Sequence, residues 1–97
     1  MKIFFTKKAE KSYRSIYNYI AIEWGEKVAI AFEQKTIDFI NLLKNFPEIG
    51  ISEVPEKQIH SFRLTRQTRI FYRIKKDHIL ILTFFDTRQS PTKKPGM

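Results

Sequence analysis

The hydrophobic period of this chain changes once, from about 3.6 residues to two, and no other feature constrains its fold as tightly. Before the change, Ala9, Tyr13, Ile16, Ile20 and Trp24 recur at steps of three and four, with Tyr17 widening the stripe and Lys11, Arg14, Asn18 and Glu23 on the other side. Gly25 interrupts this run, and a second stripe follows through Val28, Ala29, Phe32, Thr36, Phe39, Ile40 and Leu43. The pattern predicts two long amphipathic helices in an αα-hairpin, with Thr6 as the first N-cap and Asn45 and Pro47 closing the second helix. After the change, Phe62 and Leu64 alternate with Arg63 and Thr65, and Ile70, Tyr72 and Ile74 alternate with Arg69, Phe71 and Arg73. The run from His78 to Phe85 is apolar almost throughout, which reads as a central strand covered on both faces. Breaks around Gln67 and Asp77 suggest hairpins, and so a three-stranded antiparallel meander.

Residues 2–5 (KIFF) read as an initial strand that needs a larger sheet to be stable. Residues 47–58, with two prolines, one glycine and no period, read as the connection between the helical and strand halves. The expected fold is α+β: a strand, a long αα-hairpin, then a meander with the helices packed on one face of the sheet. At 97 residues it is one domain, 1–97, with 92–97 as a flexible tail.

Side-chain alternation then has a chemical consequence. If Phe62, Leu64, Ile70, Tyr72 and Ile74 face the helices, Arg63, Arg69 and Arg73 must share the opposite face. Three guanidinium groups there repel one another, and a phosphate or carboxylate partner relieves that repulsion through planar, bidentate contacts. Phe71, between Arg69 and Arg73, is placed to stack on a base or to join a small second core. Arg88 leaves the last strand close enough to reach over the same surface. The alternative for each arginine is a solvated sheet face.

Charge points to the same half. From Lys57 to Met97 ten Lys and Arg residues, Lys93 and Lys94 in the tail among them, meet only Asp77 and Asp86, whereas the first 56 residues are balanced, so the net +8 lies entirely in the second half. Such a field attracts polyanions or acidic partners. The chain has no cysteine, which removes disulfides, thiolate chemistry and cysteine-bound zinc. His60 and His78 have no third ligand nearby in sequence, so no metal is expected, and no cofactor motif occurs. Without a secretory core or a run long enough to span a bilayer, the expected location is the cytoplasm, with no membrane partner.

The long hairpin, the FPEIG turn, FYRI at 71–74 and, after an apolar strand, DTRQSP at 86–91 together resemble the RelE/ParE superfamily of type II toxin-antitoxin toxins. The resemblance runs from KIFF to Pro91 and implies a cognate antitoxin that wraps over the toxin. It implies one of two targets: DNA gyrase in the ParE-like branch, or the ribosome and its messenger RNA in the endoribonuclease branch. In the nuclease reading Arg63, Arg73 and Arg88 clamp the scissile phosphate, and Asp86 or Lys57 assists proton transfer. A non-toxic relative that only binds a peptide partner is the third reading. Many family members carry histidine where this chain has Asp86, and the nucleases often end in a tyrosine or histidine that residues 89–97 lack. Arginine stays protonated and makes a poor base. Together with the long hairpin, this directs the expectation toward the gyrase-directed, non-enzymatic branch.

Overall fold

The computed structural model describes residues 1–88, so Lys93, Lys94 and the expected flexible tail lie outside the described residues. The elements are β1 (Lys2–Phe5), α1 (Lys7–Trp24), α2 (Glu26–Asn45), β2 (Ile51–Val54), β3 (Ile59–Arg63), β4 (Thr68–Ile74) and β5 (His78–Asp86), with one 3-10 turn at Pro55–Lys57. The strands form one sheet in the order β1-β5-β4-β3-β2, antiparallel except for the parallel pair of β1 with β5.

The helix boundaries follow from local chemistry. The Thr6 hydroxyl oxygen accepts from the backbone N–H of Ala9 at 2.9 Å and caps α1. Gly25 ends α1 with φ 98° and ψ 161°, a conformation essentially reserved for glycine, and its N–H donates to the Ala21 carbonyl. The chain therefore reverses within one residue, and α2 runs back along α1.

Both helices bury their stripes against one face of the sheet. Ile16, Ile20, Leu43, Ile70, Tyr72, Ile79 and Ile81 are buried together in the core. Phe39 of α2 stacks on Phe62 of β3 with ring centroids 4.3 Å apart, and Tyr13 of α1 stacks on Phe32 and meets Phe84 of β5 edge-on.

The outer edge of β5 is shared between two elements. β1 pairs with His78 to Ile81. Beyond that, Thr6 donates through its N–H to the Ile81 carbonyl and through its hydroxyl to the Leu82 carbonyl, and the Ser12 hydroxyl of α1 accepts from the Phe84 N–H. Helix α1 thus takes over where β1 stops and satisfies backbone groups that an open edge would leave to solvent.

Two details depart from the sequence reading. The meander has four strands, because Ile51–Val54 pairs antiparallel with β3 as an edge strand. Its residues are mostly exposed and its pairing is interrupted by a bulge between Ser52 and Val54, so no alternation marks it. Its start is held from the core: the Tyr72 hydroxyl donates to the Pro47 carbonyl and accepts from the Gly50 N–H, both at 2.9 Å. A Cβ on Gly50 would lie 2.5 Å from the Ser61 carbonyl oxygen, so only glycine passes there. The second departure concerns β5, which is interior to the sheet but helix-covered on one face only. Its Leu80, Thr83 and Phe85 are half-buried on the other.

Candidate functional site

The cross-strand register assembles the arginine face. Arg63 of β3 sits opposite Arg69 of β4, Arg69 opposite Phe85 of β5, and Phe71 between Ser61 and Thr83. Thr68, Ile70 and Tyr72 are buried on the helix side, which turns Arg69, Phe71 and Arg73 away from the helices as the alternation requires.

The three strand arginines are not equivalent. Arg63 is exposed. Arg69 donates from Nη1 to the Ser61 hydroxyl at 3.0 Å, and that hydroxyl donates to the Glu53 carboxylate, so the missed strand β2 brings an acid into the basic face. Arg73 donates from Nε to the Lys57 carbonyl at 2.9 Å, which ties β4 to the turn before β3. That carbonyl accepts a hydrogen bond but brings no opposite charge to the guanidinium. Half-buried Phe71 provides an apolar ring between the two cations.

Arg88 and Asp86 occupy a different place. The Asp86 side chain is fully buried and accepts from the Thr68 hydroxyl, the Arg88 N–H and the Arg88 guanidinium, the last at 2.7 Å. Burial pushes the carboxyl up, but the hydrogen bonds from Arg88 and Thr68 together outweigh it and hold Asp86 below the usual carboxylate range. The same carboxylate raises the Arg88 pKa further. The Arg88 guanidinium lies 5.4 Å from the centre of the Trp24 ring at the hairpin tip, and Trp24 meets Tyr19 edge-on. Thr68, Trp24 and the acid–base pair thus join the end of β5 to the helix hairpin. The expected reach of Arg88 over the arginine face is replaced by this attachment, because a buried carboxylate two residues away holds a guanidinium more strongly than solvent does.

The histidines are separated as well. His60 is buried and stacked on Tyr72, while His78 pairs with Asp77 at 2.8 Å and holds that carboxyl down. Among the described residues no three His, Cys, Asp or Glu side chains come together as a metal site. Among the same residues no helix is long and apolar enough to cross a membrane.

The sequence reading missed a second surface feature. Between α1 and α2 runs a groove of about 620 Å³, bordered by Phe5, Tyr13, Tyr17, Glu33, Ile37 and Ile40 among others. Tyr13 and Tyr17 count as core on a helical wheel; their partial exposure appears only once α2 is placed beside them.

The fold has clear counterparts among solved structures. A chain titled "Chromosomal ParDE TA system from P. aeruginosa" superposes with a TM-score of 0.72 at 24% identity, covering 89% of this chain and 95% of that one. A YoeB/ParE toxin from Agrobacterium tumefaciens gives 0.62 at 17% identity, covering 89% and 98%. The YoeB dimer structure from Staphylococcus aureus gives 0.61 at 16%, covering 88% and 94%. At these identities the likeness concerns the fold. No curated protein matches the sequence significantly. A family model does, over residues 3–91, nearly the whole length and both halves of the change in period: the chain belongs to the family of ParE toxins of type II toxin-antitoxin systems.

Proposed function

We propose that this toxin acts in the cytoplasm on DNA gyrase through protein contacts and is silenced by an antitoxin that covers its basic face. The observation that carries this reading is the closure of Asp86 and Arg88 on each other. Cleavage of RNA by attack of its 2'-hydroxyl needs one group to take a proton and another to deliver one, beside cations that stabilise the phosphate. Asp86 has no exposed side-chain surface to offer as a base, and Arg88 is engaged by Asp86 and Trp24. Arg63, Arg69 and Arg73 are suited to hold anions but supply no base, which leaves exposed Lys57, whose carbonyl accepts from Arg73, as the other group expected to assist proton transfer.

The alternative, ribosome-dependent messenger RNA cleavage, is favoured by one feature: Arg63, Arg69, Phe71 and Arg73 form a contiguous basic and aromatic row of the kind that holds single-stranded nucleic acid. Two assays separate the readings. Purified toxin in excess is expected to block supercoiling by gyrase, and full supercoiling activity in its presence would overturn the proposal. In a translating lysate, new messenger RNA ends that appear with the toxin and vanish with R63A/R73A would establish the nuclease instead. Harmless expression with neither effect would leave the peptide-binding relative.

A further inference from the structure

The groove between α1 and α2 measures about 620 Å³, the size of a cleft that takes a small organic molecule. Its apolar border is made by Phe5 and Ile37, both exposed, beside the rings of Tyr13 and Tyr17, whose centres lie 6.3 Å apart. Tyr13 stacks on Phe32 and meets Phe84 edge-on, so its ring is held in place before any ligand arrives. The charged border is made by Glu10, Glu33 and Arg14. None of these three is joined in an ion pair among the described residues. Two carboxylates against one guanidinium leave the groove with a surplus of one negative charge, in a chain whose net charge is +8. Burial, and then the neighbouring Glu33 carboxylate, push the Tyr13 hydroxyl up to about 12, while a hydrogen bond with the Thr36 side chain draws it partly back. Tyr13 therefore stays a neutral ring beside the Glu33 carboxylate.

An aromatic face attracts a cation through its quadrupole and a carboxylate attracts it through charge, so the two together favour an ammonium over a neutral or anionic head group. The apolar border favours a carbon body on that head. The groove follows residues 10–17 of α1, roughly 10 Å, which limits such a body to a short chain or one ring. We propose that this groove binds a small organic ammonium, with its head at Glu33 and the tyrosine rings and its apolar body on Phe5 and Ile37. The +8 chain repels such a cation elsewhere, so recognition depends on the local carboxylates. The helices cover one face of the sheet and Arg69, Phe71 and Arg73 lie on the other, so the ligand and an anionic partner of the arginine face do not compete for the same residues. The groove thereby gives the protein a small-molecule input separate from its action on gyrase.

The test is a titration of the purified chain with benzyltrimethylammonium, read by backbone amide NMR, with benzyl alcohol as the uncharged comparison. Saturable shift changes are expected in the stretches of α1 and α2 that line the groove, with benzyl alcohol bound about fivefold more weakly or worse. Glu33→Gln should weaken binding about fivefold, the size of one exposed charge contact. Tyr17→Leu keeps an apolar side chain but removes the ring, and should weaken binding by about the same factor. Arg14→Gln removes the one like charge and should tighten binding about threefold, a gain that a merely structural change does not produce. Arg63→Ala should leave the affinity unchanged. Amide spectra away from the groove show that each variant is folded. Equal binding of benzyl alcohol, weaker binding in Arg14→Gln, or shifts that grow without saturating would overturn the proposal. So would saturable shifts confined to the arginine-bearing strands.

Discussion

The Asp86 carboxylate, its side chain out of contact with water, accepts four hydrogen bonds, one from the Thr68 hydroxyl and three from the Arg88 N–H, Nε and Nη2. Asp86→Asn keeps the shape but removes the charge that opposes Arg88, and should cost about 2–3 kcal/mol at neutral pH, in the range for breaking a partly buried pair. The sign of the pH dependence follows from the lowered pKa of Asp86. Its contribution is fully present above the unfolded carboxylate pKa, about 3.9, and is lost as pH falls through the lower folded value. Denaturant unfolding of both proteins should show their difference in stability constant from about pH 7 to about pH 5 and shrinking in stronger acid. A difference that persists unchanged into strong acid would mean that the carboxylate charge is not what holds Arg88. Arg88→Ala should likewise lower the melting temperature, and under the proposed action on gyrase it should leave inhibition per folded molecule unchanged.

At the next scale, the junction of β1 and α1 concentrates several functions in one residue. Thr6 caps α1 with its hydroxyl oxygen, donates that hydroxyl to the Leu82 carbonyl and gives its N–H to Ile81. Thr6→Ala removes the first two and should cost about 1–2 kcal/mol by thermal or denaturant unfolding, more than a cap alone usually contributes. Gly50 does the same work for β2 by steric fit. Gly50→Ala forces a methyl against the Ser61 carbonyl and the Tyr72 hydroxyl, and should destabilise by about 2–3 kcal/mol. Amide hydrogen exchange should place that loss in β2 and the Pro47 turn, leaving protection of β4 and β5 largely intact.

Over the whole molecule, the strand arginines gather on the sheet face that the helices leave open. Arg63, Arg69 and Arg73 project one sign of field from the open sheet face, so association with an acidic antitoxin segment should slow as salt rises. Arg63→Ala should reduce the association rate several-fold and flatten that salt dependence, with a smaller effect on dissociation, since the Arg63 side chain is exposed. Arg69→Ala should act differently, because it also releases Ser61 and Glu53 from their network and alters β2. Stopped-flow association over a salt series distinguishes the two.

Elements whose signal is local were legible along the chain. Steps of three and four placed the two helices, Gly25 and Thr6 marked their ends, and alternation at 68–74 turned Arg69, Phe71 and Arg73 to one face, because a helix or strand allows its side chains only those directions. Features that depend on neighbours distant in the chain emerge only on packing. The strand Ile51–Val54 has no period of its own, and exists through pairing with β3 and the anchoring of Gly50 by Tyr72. Arg88 was read as a cation at the end of a strand, yet Thr68, 18 residues before Asp86, and Trp24, on another element, determine where its guanidinium sits. The groove likewise belongs to neither helix alone. Its rings and carboxylates come from residues about twenty apart that only the reversal at Gly25 brings side by side, since a helix sets the face of a side chain and packing sets what that face meets.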